Sequence, residues 1–282
     1  MSRKAKLTGM ANPWGWIANA EDEEIPLLEA TLLIAQDEYP DLDVAAYLAK
    51  VDLLAAKLTD LGAEEGEPVA RLRTLNQFLF DDQGYSGNFL DFYDPRNSYL
   101  CDVLDRKTGI PISLAVLYVE LGRGLGVDLE GVSFPGHFLV RLPVDGGLIV
   151  LDPFHRGKSV GSEELRQRAR SGSPADDPDD AQLFALLSPA THRATLARML
   201  QNLKSLYVER ADLARALRVS NRLVQLTGTL TERRDRGLLY LQLGSSSAKV
   251  DLQHYLLHAA DAPDVAEVRE ALLASQKLPR MS

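Results

Sequence analysis

A chain of 282 residues, 45% hydrophobic and 25% charged, has the make-up of a soluble globular protein with room for one large or two medium domains. Its net charge of -9 at pH 7 argues against the basic face that binding a nucleic-acid backbone requires. The single cysteine, Cys101, excludes an internal disulfide and a multi-cysteine zinc site, and the apolar run near the start is too short for a signal peptide or a membrane span, so a cytoplasmic location is expected.

In chain order, Trp14 and Trp16 in NPWGW precede the first long helix and read equally well as an anchoring segment or a partner contact. Residues 25–61 are rich in Ala and Leu at helical spacing and are broken at YPDLD by turn chemistry, which predicts two helices. VARLRTLNQFLF predicts another, and DDQGYSGNFLDFYDPRNS after it reads as a long loop of the kind that is functional or well packed. TGIPISLAVLYVELGRGLGV has the marks of a buried helix. Pro111 suits its first turn, where a missing N–H costs nothing, and Gly122, Gly124 and Gly126 end it.

FLVRL and LIVL flank VDGG, and Asp-Gly is the strongest short hairpin signal. A two-residue turn at Asp145 and Gly146 sets Val144 opposite Gly147, Leu139 opposite Asp152 and His137 opposite Phe154. His137 and Asp152 then share a face as diagonal neighbours within hydrogen-bond reach. RSGSPADDPDD, residues 170–180, is the linker candidate. From Thr191 onward every strong pattern is helical. Leu206 and Tyr240, Tyr207 and Leu241, Ala214 and Ala248, Ala216 and Val250, and Leu223 and Leu257 form pairs at a spacing of about 34, the period of tetratricopeptide hairpins.

The strings NFLDFYDPRNSYL, VLDRKTGIPISLAVLY, LGRGLGV, GVSFPGHFLVR and LDPFHRG, followed by these repeats, resemble the bacterial SirB-type family. That resemblance implies an α+β fold: a transglutaminase-like, papain-like core with a helical N-terminal part over residues 20–169, a linker at 170–180, and an all-α repeat domain over 181–282. It also implies a nucleophile at the start of the buried helix, with a His and an Asp on the strands that follow. His137 and Asp152 match the last two. The nucleophile position reads Pro111, which has no side-chain nucleophile.

Ser113, in the first turn of the same helix, is the weak substitute. Two residues turn a helix by roughly 200°, which faces Ser113 away from where the missing side chain would point. Cys101 in SYLCDVL reads as a small buried side chain. Asn97, Ser98 and His155 are the candidate ligand-binding residues. His254 and His258, four apart with no third ligand, read as a helix face, and neither a metal nor a cofactor is expected. The expected function is a non-catalytic scaffold or regulator that binds a protein or peptide through its repeats. The alternative is a hydrolase or acyltransferase of altered chemistry, using His137 and Asp152 with Ser113 or an activated water.

Overall fold

The computed structural model describes residues 5–62, 66–172 and 178–276. Helix α1 spans Pro13–Asn19, α2 Leu27–Gln36, α3 Val44–Asp60 and α4 Pro68–Asn76. A π-helical stretch, Gln77–Asp82, continues α4, and the loop after it carries the two-residue strand β1, Ser86–Gly87. Then come α5 (Leu100–Arg106), β2 (Thr108–Gly109), which pairs in parallel with β1, and α6 (Pro111–Gly124). Strands β3 (Glu130–Val132), β4 (Leu139–Val144), β5 (Gly147–Asp152) and β6 (Lys158–Ser159) form an antiparallel sheet in sequence order. Seven helices follow: α7 (Ser162–Gly172), α8 (Asp180–Leu186), α9 (His192–Glu209), α10 (Leu213–Thr227), α11 (Leu230–Gln242), α12 (Ala248–His258) and α13 (Val265–Gln276). None of the described helices is long and apolar enough to cross a membrane.

The chain divides into two compact units, residues 1–11 with 21–199 and residues 12–20 with 200–282. In the first, α6 starts at Pro111 and is buried on nearly every side from there to Gly122, as its continuous apolar run requires. The hairpin register is the expected one, with Val144 opposite Gly147 and Val140 opposite Leu151, and Gly146 at φ 83 supplies the left-handed turn. His137 differs from expectation. It lies before β4, in a turn closed by its own N–H donating to Phe134 O, so it approaches Asp152 from a loop and not from a paired strand.

The two compact units have other bounds than the expected partition at both ends. Residues 173–177 of the linker lie outside the described residues, but α8 beyond them belongs to the first unit. Leu183 and Leu187 are buried in one cluster with Val132, Phe134, Leu139, Val150, Val160, Leu165 and Ala169. Ala190 N–H also donates to Gly131 O of β3 at 2.7 Å. The apolar spacing of AQLFALL needed a surface to cover, and the sheet supplies it.

In the second unit α1 packs on α10, with Trp14 and Ile17 buried, which assigns NPWGW to the repeat unit as an anchor. Helices α10, α11, α12 and α13 pack successively. The repeat register also differs from the one read in sequence. Of the pairs about 34 apart, Ala216 and Leu223 are buried while Val250 and Leu257 are exposed. Buried positions recur instead thirty-two residues apart: Ala216 and Ala248, Val219 and Asp251, Ser220 and Leu252, Leu223 and Tyr255. Two residues turn a helix by roughly 200°, so similarity of residue type at one spacing and equivalence of buried face at another are different properties.

Candidate functional site

Asp152 is the last residue of β5 and is fully buried. Pro153 opens a 3-10 turn over Pro153–His155, and Asp152 caps it, with Oδ1 accepting from Phe154 N–H at 3.1 Å and His155 N–H at 3.3 Å. The turn brings the His155 ring back, and Nδ1 lies 2.8 Å from Asp152 Oδ2. His137 Nε2 reaches Oδ1 at 3.0 Å. From α7, Arg168 Nη1 donates to Oδ2 at 2.8 Å, while its Nη2 donates to Glu164 Oε1 at 2.6 Å.

Burial alone would raise the Asp152 carboxyl, but the hydrogen bond and charge of His137, with Arg168 and His155, outweigh it and hold the group well below the usual carboxylate range. An ionised carboxylate only accepts, so the network assigns the protons to His137 Nε2 and His155 Nδ1. When a ring is uncharged, its other nitrogen, Nδ1 in His137 and Nε2 in His155, carries the lone pair. That leaves His137 able to take a proton from a group presented to Nδ1.

Ligand atoms of His137, Asp152 and His155 lie within 4.8 Å of one another, close enough together to hold a metal ion. A metal would have to compete there with the Arg168 guanidinium and two backbone N–H groups already on the carboxylate. Phe154 packs beside both imidazoles, and Phe89 stands 4.5 Å from Phe154 and 5.4 Å from His155 between ring centroids. Phe89, Leu90, Phe92 and Tyr93 are exposed on the loop next to this cluster.

His137, Asp152 and His155 are thus brought together, and the other candidates are not. The Ser113 hydroxyl donates to Asn97 O at 2.6 Å and accepts from Ile110 N–H at 3.1 Å, so it closes the start of α6 instead of meeting His137. Asn97 anchors the loop. Its Nδ2 donates to Asp91 O and Phe92 O, and its Oδ1 accepts from Asn88 Nδ2 and Arg106 Nη1, which uses the whole amide in a fully buried position. Ser98 is buried beside it, its N–H donating to Pro95 O. Sequence reasoning missed Arg168, because Glu164 and Arg168 four apart read as an ordinary surface helix pair. A cavity of about 320 Å³, lined by Ala115, Val119, Glu130, Phe138 and His192 among others, contains none of the candidate residues.

Cys101 is buried in α5, and burial, with Asp102 beside it, pushes its thiol up to about 12. Little thiolate is available near neutral pH. Labelling by 5,5′-dithiobis-(2-nitrobenzoate) at pH 7.5 is expected to be negligible in the folded chain and stoichiometric in denaturant. Fast labelling of folded protein would contradict the buried placement.

A buried helix, then a hairpin whose last residue, Asp152, meets a His from the preceding turn, then stacked helical hairpins is the layout of a transglutaminase-like domain joined to tetratricopeptide repeats. Residues 45–201 match the transglutaminase-like superfamily, and residues 203–273 match a tetratricopeptide repeat family. The chain belongs to the transglutaminase-like superfamily and, within it, to the bacterial UPF0162 proteins. It is 46% identical to the UPF0162 protein of Xylella fastidiosa strain Temecula1, over 92% of this chain and 93% of that one. With the UPF0162 protein of Vibrio cholerae it shares 29% identity over 81% and 82% of the two chains. Human F-box only protein 21 is 36% identical over 143 residues, which are 48% of this chain and 21% of that protein. No solved structure gives a significant match.

Proposed function

We propose that this chain is a non-catalytic, SirB-type transglutaminase-like protein, cytoplasmic, that works by binding another protein through its repeats. The observation that carries the reading is Pro111 at the first position of α6, where the resemblance puts the nucleophile. Ser113 supports it, since its hydroxyl is committed to Asn97 O and Ile110 N–H. In this reading the His137, Asp152, Arg168 cluster holds the loop, the sheet end and α7 together, and tetratricopeptide repeats generally serve protein contacts.

A second reading is favoured by one feature. His137 Nδ1 faces away from Asp152 with its lone pair free of the carboxylate, so the pair is oriented to activate a water. Incorporation of a fluorescent primary amine into casein, together with hydrolysis of small acyl esters, separates the two. Wild type is expected to give neither above the uncatalysed rate. Turnover that disappears in His137→Ala but persists in Cys101→Ser would establish the second reading in place of the first.

A further inference from the structure

Helix α10 carries on its outer side Arg218, Arg222, Gln225 and Leu226, and α1 packs on this helix. The Arg222 guanidinium stands 5.2 Å from the Trp14 ring, and Gln225 Nε2 lies 3.5 Å from Asn12 Oδ1. Trp14 and Ile17, three residues apart, are the buried side chains of this short helix, and Leu226 is buried as well.

The spacing at which buried positions recur between α10 and α12 carries that face over to Val250, His254, Leu257 and His258. These four fall at the i, i+4, i+7 and i+8 positions of one helical stripe. On α12 the stripe is left uncovered by the described residues. Val250 is 69% exposed and Leu257 74%, while the inward positions Leu252 and Tyr255 pack with Val268 and Leu272. The two imidazoles stand 4.5 Å apart between ring centroids beside these aliphatic side chains. The uncovered copy carries two aliphatic side chains against one on the covered copy, with Val in place of Arg218 and Leu in place of Gln225, while His stands in place of Arg222 and of Leu226. Stacked repeats present equivalent faces, and exposed aliphatic side chains on such a face mark a contact surface.

We propose that the face of α12 formed by Val250, His254, Leu257 and His258 docks a short amphipathic helix of a partner protein, one that presents an aromatic and an aliphatic side chain about one turn apart. The occupant is inferred from α1, which supplies this chemistry to the equivalent face of α10. Aliphatic anchors on α12 take the partner's apolar stripe, and the imidazoles pack against the face of its aromatic ring, as Arg222 of α10 lies over the Trp14 ring. The proposal rests on the repeats being a protein-binding unit. The absence of catalysis is tested separately by amine incorporation, so failure here leaves that half of the proposed function where it stood.

The probe is a fluorescein-labelled peptide with the sequence of residues 10–22, titrated with the full chain and followed by anisotropy. Saturable binding is expected, weakened roughly tenfold or more by Leu257→Asp and by Val250→Asp, the effect of losing an apolar anchor worth at least about 1.4 kcal/mol. Both positions are exposed, so unchanged far-ultraviolet circular dichroism is expected for both variants. A peptide with Ala at the positions of Trp14 and Ile17 is expected not to bind. The proposal is overturned by no saturable binding, or by binding that both α12 variants leave intact, which would mean that the peptide only exchanges with α1 on α10. It is also overturned in favour of a second copy of this chain if light scattering finds a dimer that Leu257→Asp dissociates.

Discussion

Asp152→Ala is expected to cost about 3–5 kcal/mol, the range for removing one partner of a buried ion pair and leaving the other uncompensated. The carboxylate is fully buried and receives His137, His155, Arg168 and two backbone N–H groups. Alanine leaves the Arg168 guanidinium with only Glu164 among these bonds, and it uncaps the turn at Pro153–His155. Urea unfolding followed by circular dichroism measures the loss. A change below about 1 kcal/mol, the scale of exposed pairs, would show that the cluster is effectively solvated.

The same group sets a dependence on acid. Its folded value lies below the ordinary carboxylate range, so the folded state holds the proton less tightly than the unfolded state. The stability it contributes is therefore complete well above the ordinary carboxylate range. It is lost progressively as pH falls through that range toward the folded value. Asp152→Asn lacks this titration, so the gap in stability between wild type and Asp152→Asn is expected to narrow as pH falls below about 4. A constant gap down to the acid transition would contradict the assigned ionisation.

Asn97→Ala carries the second large effect, on the order of 3 kcal/mol, because more than one buried polar group loses its partner at once. Asn97 Nδ2 donates to Asp91 O at 2.7 Å and Phe92 O at 3.2 Å, and Arg106 donates to its Oδ1. These bonds hold the loop that presents Phe89, Leu90, Phe92 and Tyr93, so the variant is expected to free that loop as well as weaken the fold. The N–H groups of Asp91 and Asp94, which donate to Asn88 Oδ1 and Asp91 O, are the reporters. Their hydrogen exchange is expected to speed up more than that of α6 amides. Asn97→Asp should do no better, since it keeps the acceptor for Arg106 but faces two carbonyls without a donor. Protection equal to wild type in either variant would mean that other contacts order the loop.

The properties legible in the sequence were those settled by near neighbours along the chain. Asp145-Gly146 determined the hairpin and its register, and Pro111 determined where α6 begins and that no side-chain nucleophile stands there. The meeting of His137 with Asp152 was legible from alternation along the two strands, but the route was not, since His137 reaches the carboxylate from the turn before β4, where the ladder does not extend. What the tertiary structure alone decided is which surface covers which. Arg168 meets Asp152 because α7 packs near the end of the sheet, and nothing in SEELRQRAR distinguishes that arginine from its neighbours. Leu183 and Leu187 join the first unit, and Trp14 the second, because burial follows whichever apolar surface is close in space. The repeat register shows the same limit. Leu and Ala recur at many spacings in helical sequence, but only packed helices select which of those spacings returns the same face to the core.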